Sequence, residues 1–198
     1  MTTSIYKEPV EGHLTLRTLN LDGDRQSDLT VHGGKDKAVY CYPIEHYDYW
    51  KKELSGRTLP MGAFGENFTI EGLAEDSVDV GDRFSIGFAE VVVTQPRLPC
   101  YKLGIRFGSD DIVRRFLDSR RTGFYVAVTR EGDVGAGDEV TMLNHDPESV
   151  PVSEITRLYL AKRYGIDDVD RVRRALTIGA LPESWKEYFQ EKLNRAGV

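Results

Sequence analysis

The stretch GDRFSIGFAEVVVT (residues 81–94) decides the fold class, because it joins a Gly-Asp pair to a short run of β-branched residues. Valines in succession favour a strand, and a Gly-Asp pair favours the tight turn beside it. The same pairing recurs at Gly23-Asp24 and Gly137-Asp138, beside other short β segments. His13 to Leu21 alternates apolar and polar residues, with Leu14, Leu16, Leu19 and Leu21 in phase. Ala38 to Tyr42, Asn67 to Ile70, Phe124 to Thr129 and Glu139 to Leu143 are further strand candidates. Many short strands at irregular spacing point to a barrel or sandwich rather than a βαβ sheet.

Two helices are expected among the strands. Pro43 to Leu54 sets Ile44, Tyr47, Trp50 and Leu54 on one face, with Pro43 at the first helical position. Ser109 to Ser119 sets Ile112, Val113, Phe116 and Leu117 together behind an acidic start, with Ser109 as cap. After Pro147 the pattern is helical only. Three helices are expected, Ser153–Tyr164, Val169–Ile178 and Pro182–Leu193, the first two ending at Gly165 and Gly179. The expected architecture is a β-barrel domain over residues 1–146 and a three-helix subdomain over 147–198.

Composition narrows the function. With 26 basic and 32 acidic side chains the 198-residue chain carries a net charge of −6. That charge argues against a general nucleic-acid binder, which presents a basic face. Residues 146–198 are neutral, so any polyanionic ligand needs a local basic pocket on the acidic first 145 residues. No apolar run approaches the roughly 18 residues of a membrane span, and the start carries no secretory signal. Two cysteines make no disulfide framework, so a reducing cytoplasm is expected. Phosphate-loop, dinucleotide, HExxH and CxxC signatures are all missing, and His13, His32, His46 and His145 have no zinc-type spacing.

Three segments can carry chemistry. In GDRQSD (23–28) and VHGGKDK (31–37), Gly33 and Gly34 after His32 allow backbone amides to converge on an anion, with charge from Lys35 and Lys37. The same residues also read as a solvated loop. In GAFGENF (62–68), Asn67 reads either as a ligand contact or as a side chain satisfying the backbone of a bulge. In QPRLPCYK (95–102), two prolines stiffen the backbone around Cys100, which lies between Arg97 and Lys102. Two cations favour a thiolate, available as nucleophile or soft-metal ligand, and this outweighs a purely structural role. Cys41, between Tyr40 and Tyr42, reads as core.

Taken in order, GDRQSD, VHGGKDKAVYCYPIEHYDYW, GAFGENFTIEG, VGDRFSIG, QPRLPCYKLGIRF and TGFYVAV resemble the MOSC family, the domain named for the C-terminal part of molybdenum cofactor sulfurase. The likeness is to its stand-alone bacterial YiiM-like branch, and the helical tail resembles that branch's three-helix appendage. The resemblance implies a MOSC-type, pyruvate-kinase-like β-barrel holding a pterin-based molybdenum cofactor. It implies reduction of N-hydroxylated compounds, such as hydroxylaminopurine base analogues, to amines. Cys100 matches the molybdenum-ligating cysteine, and Arg25, His32, Gly33, Gly34, Lys35, Lys37, Asn67, Arg97 and Lys102 fall in or beside cofactor-pocket segments. The family also carries an association with pyridoxal phosphate binding.

Further expectations depend on that resemblance. No flavin or haem motif is present, so electrons would come from a separate flavoprotein. No nucleic-acid or membrane partner is expected. Two other readings use the same thiolate: sulfur transfer through a Cys100 persulfide, and non-catalytic carriage of the cofactor. The C-terminal helices would cover an apolar barrel face, or dock a donor or second subunit through Arg171, Arg173 and Arg174. Family chains carry a further β segment ahead of the stretch matching residues 3–10; its lack would leave an exposed edge and favour a homodimer.

Overall fold

The computed structural model describes residues 5–24 and 34–197. The strands are β1 (His13–Leu16), β2 (Val39–Pro43), β3 (Phe68–Ile70), β4 (Asp79–Val80) and β5 (Arg83–Ile86), followed by β6 (Ala89–Pro96), β7 (Phe124–Arg130), β8 (Gly132–Gly135), β9 (Val140–Asn144) and β10 (Val150–Pro151). The helices are α1 (Glu45–Glu53), α2 (Tyr101–Phe107), α3 (Asp111–Ser119), α4 (Val152–Leu160), α5 (Ile166–Thr177) and α6 (Glu183–Ala196). Six strands form one sheet in the order β3-β2-β7-β6-β5-β9. It is antiparallel except between β2 and β3, and it curls into a half-barrel. Two-stranded pairings, β1 with β8 and β4 with β10, complete the β structure among the described residues.

The wall of this half-barrel separates two cores. Val39 and Cys41 of β2 face an aliphatic cluster, whereas Tyr40 and Tyr42 face an aromatic one. In β7, Phe124 and Val126 take the first side and Tyr125 packs against the second. The two-residue side-chain period produces this division, and burial on both faces explains why these strands lack polar alternation. Trp50, Phe64, Phe107, Phe116 and Tyr47 fill the aromatic core, with Trp50 and Phe116 stacked at 5.5 Å. Trp50→Ala would cost about 3–5 kcal/mol, the usual range for emptying an aromatic core site.

Strand β6 departs from regular pairing. Val93 lies opposite Val126 but Gln95 lies opposite Tyr125, so Thr94 is an extra residue on β6. Val91 and Val93 face the aliphatic core. Arg97 has their parity, yet it lies among Tyr40 and Phe116 of the aromatic core. The bulge lies three residues before it and interrupts the regular alternation of the strand.

The appendage is continuous with the sheet. Ile155, Leu158, Val172, Trp185, Phe189 and Leu193 belong to the same buried cluster as Val91 and Val93. The start of α4 is tied down by Val152 N–H to the Val78 carbonyl (2.9 Å) and Ser153 N–H to the Glu75 carbonyl (2.8 Å). Arg171, Arg173 and Arg174 meet Glu154, Asp170 and Glu148 at 2.6, 3.5 and 3.2 Å. The expected division at 146/147 falls between β9 and β10.

Several boundaries differ from expectation, each for a local reason. The first strand stops at Leu16, because Arg17 N–H bonds to the Asn20 carbonyl and turns the chain back to a Leu16–Leu21 bridge. Pro43 ends β2 instead of starting α1, a position where its missing N–H is harmless. Helix α3 starts at Asp111, and the Ser109 hydroxyl bonds to the Asp111 carboxylate rather than capping the backbone. Helix α5 starts three residues early, where the Asp168 carboxylate accepts the Gly165 N–H at 2.9 Å.

Candidate functional site: Cys100 and a buried arginine

Strand β6 delivers Pro96 to the end of the sheet, and the chain then crosses from one core to the other. Leu98 packs on the aliphatic core, and Leu103 and Phe107 pack in the aromatic core. Cys100 lies at the crossing, in extended conformation and half-buried, as the residue that precedes α2. That helix was not anticipated from the sequence. Its register is set by the four-residue spacing of Leu103 and Phe107 over the aromatic cluster.

Arg97 is the central cation. It is 5 % exposed, and its guanidinium carbon lies 5.0 Å from the ring centroids of both Tyr40 and Phe116. Its backbone N–H donates to the Gly123 carbonyl (3.1 Å), and Nη2 lies 3.4 Å from the Phe64 carbonyl. Nη1 is buried with no hydrogen-bond partner among the described residues. Burial opposes the charge, while Tyr40, Tyr125 and the Cys100 thiol favour it, and the balance holds the Arg97 pKa above its ordinary value. A charged nitrogen buried with an open donor is costly, and native interiors rarely leave one.

The loop that receives Arg97 is itself fixed from both sides. The buried Glu66 carboxylate accepts the Gly62 and Phe64 N–H groups, each at 3.0 Å, and the Tyr47 hydroxyl. On the carbonyl side Arg106 donates to Ala63 (3.1 Å) and approaches Gly62 (3.4 Å). Gly123 supplies another fixed point. Its N–H donates to Glu75 at 2.6 Å, its φ is +66°, and a Cβ there would lie 2.4 Å from the Cys41 carbonyl. Only glycine fits that position, which accounts for the Thr-Gly-Phe at 122–124.

The residues singled out from sequence fall as follows. Arg25, His32 and Gly33 lie outside the described residues. Gly34 (φ +95°) opens a 3-10 turn over Lys35–Lys37, in which Lys35 is exposed and Lys37 half-buried. Burial lowers the Lys37 pKa, opposed by Asp36. The Asp36 carbonyl accepts the Thr94 hydroxyl (2.7 Å) and Gln95 Nε2 (3.3 Å), which hangs the turn on β6 just before Arg97. Asn67 Oδ1 accepts the Tyr40 N–H (3.0 Å), and its Nδ2 donates to Asp24 at 2.7 Å. Lys102 is half-buried in the first turn of α2. Cys41 is core, its thiol pushed up to about 12 by burial.

Sequence reasoning passed over Glu66, Tyr40, Phe116 and Gln95 as site-building residues. An acid and an amide inside otherwise apolar runs were the available signals. Among the described residues no cluster of three His, Cys, Asp or Glu side chains could hold a metal by itself. A buried arginine donor with no partner among the described residues and, three residues on, a half-buried thiol are groups able to meet an anion that brings most of its own ligands.

The chain matches known families along most of its length. Residues 28–141 match the MOSC domain, and residues 150–196 match the YiiM-like 3-alpha helix domain. Bacillus subtilis YflK is 39% identical over 98% of this chain and 86% of its own length. Escherichia coli YiiM is 36% identical over 96% and 84%. A Gibberella moniliformis protein named a reductase is 27% identical over 84% of this chain, which spans only 30% of it. The crystal structure of Geobacillus stearothermophilus YiiM superposes with a TM-score of 0.83 at 33% identity, covering 96% of this chain and 88% of that one. The chain therefore belongs to the MOSC domain family, in the YiiM-like branch that carries a three-helix C-terminal appendage.

Proposed function

We propose that this protein is a cytoplasmic, molybdenum-cofactor-dependent reductase of N-hydroxylated compounds, with Cys100 as the protein's ligand to molybdenum. The observation that carries the reading is the buried Arg97, with one donor lacking a partner among the described residues, three residues before a half-buried thiol. The reductase name of the Gibberella relative supports it at the level of reaction class.

When bound, the cofactor supplies a two-electron redox centre. Cys100 is the half-buried residue before α2, where Pro96 and Pro99 limit backbone movement. Arg97 donates to an anionic oxygen from a position stacked between Tyr40 and Phe116, so its orientation is set before binding. Lys35, Lys37 and Lys102 add positive charge for the cofactor phosphate, on a body whose net charge is −6. The overall reaction is R–NH–OH plus two electrons and two protons to R–NH2 plus water. The electrons come from a separate flavoprotein.

The test is molybdenum content, by elemental analysis, of protein made in a cofactor-replete host, alongside Cys100→Ala. Near-stoichiometric metal in the parent, lost in the variant, followed by turnover of a hydroxylaminopurine with a chemical reductant, is expected. Metal without turnover would reduce the protein to a carrier. No metal in either, with one extra sulfur atom on Cys100 by mass spectrometry, would replace the reading with sulfur transfer.

A further inference from the structure

Gln95 lies between the C-terminal helices and the Lys35–Lys37 turn and contacts both. The Trp185 indole N–H of α6 donates to Gln95 Oε1, across 90 residues of sequence. Gln95 Nε2 lies 3.3 Å from the Asp36 carbonyl, which also accepts the Thr94 hydroxyl at 2.7 Å. Trp185, Gln95 and Thr94 are 6 %, 2 % and 1 % exposed.

The chemistry of these groups fixes the amide in one orientation. An indole nitrogen can only donate, so the Gln95 oxygen must face it, and the amide nitrogen is left for the Asp36 carbonyl. The two hydrogen bonds require each other. The bulge at Thr94 makes the arrangement possible, because it lets consecutive residues of β6 reach the same carbonyl. That carbonyl lies inside a three-residue 3-10 turn, where intrahelical partners are scarce.

We infer that Trp185 and Gln95 are positioning residues through which the three-helix appendage holds the Lys35–Lys37 turn in place. Taken with the proposed function, on which this last step rests, the appendage thereby sets one wall of the cofactor pocket. It would do so without contributing a side chain to that pocket.

The experiment is hydrogen exchange on cofactor-free protein, comparing the parent with Trp185→Phe, Gln95→Met and the double variant. Trp185→Phe keeps an aromatic ring and removes the N–H. The Lys37 amide, bonded to the Gly34 carbonyl at 3.1 Å, reports on the turn. It is expected to exchange about five- to thirty-fold faster in each single variant, the effect of one lost buried hydrogen bond. The double variant should be no faster than Gln95→Met alone, because both changes break one relay. Protection of α4 and α5 should stay at the parent level, which a general loosening of the helices would not allow.

Parent-like exchange at Lys37 in Trp185→Phe would overturn the inference, and that arm decides the matter even if Gln95→Met fails to fold. Molybdenum content of the same variants separates the two readings. Faster exchange with full metal would leave the relay standing and remove the turn from the cofactor pocket.

Discussion

His46 Nε2 and Glu75 Oε2 stand 2.6 Å apart, with both side chains buried. The second Glu75 oxygen accepts the Gly123 N–H at 2.6 Å, and the Gly123 carbonyl accepts the Arg97 N–H. One carboxylate thus joins α1 to the backbone that holds the candidate site. Glu75→Ala should lower unfolding free energy by about 3–5 kcal/mol, the usual cost of stripping partners from a buried polar pair. Glu75→Gln retains one acceptor and should cost about 1–3 kcal/mol. Urea unfolding with an unchanged m-value is the measurement.

At Arg97, stability is set against the proposed cofactor binding. Its buried Nη1 has no partner among the described residues, so Arg97→Met should leave the cofactor-free protein equally stable or about 1–2 kcal/mol more stable. Molybdenum retention should fall sharply in the same variant. A lower melting temperature together with full metal content would contradict both halves.

The two cysteines should separate cleanly under alkylation. Cys41 is 2 % exposed, with its thiol pushed up to about 12, whereas Cys100 is half-buried between the cores. Native protein treated briefly with iodoacetamide should gain one adduct, on Cys100, by peptide mass spectrometry. In denaturant both cysteines should react.

His145 gives a pH signature. Its Nδ1 lies 2.8 Å from the buried Asp82 carboxylate, and the hydrogen bond and charge of Asp82 raise its pKa above the ordinary imidazole value. A raised value means the folded state holds the proton more tightly, so the associated stability is full below about pH 6.5 and fades as pH rises through the folded value. An NMR titration should place the His145 midpoint above that of an unfolded peptide. Asp82→Asn should return it.

What the sequence made legible was local. The Gly-Asp turns are present, with Gly81 and Gly137 at φ +106° and +92°. The Asp82 and Asp138 carboxylates accept the Asp79 and Gly135 N–H groups at 2.8 Å each. That chemistry is written within four residues. Helix α2 was not legible, because seven residues after two prolines show no period until Leu103 and Phe107 meet the aromatic core. The role of Glu66 was not legible either, since its partners come from Tyr47 and from a loop that folds back on itself. The Trp185–Gln95 bond was beyond reach for the same reason, as neither residue has a local signal for the other.

The extra residue at Thr94 bears on how this segment can vary. A substitution between Val91 and Pro96 alters contacts but keeps the register of the strand. Loss of Thr94 would move every later residue of the strand against β7, and Arg97 would lose its place over Tyr40 and Phe116. Length is thus a constraint here beside identity: a substitution acts at its own contacts, whereas a deletion moves all that follows it against β7.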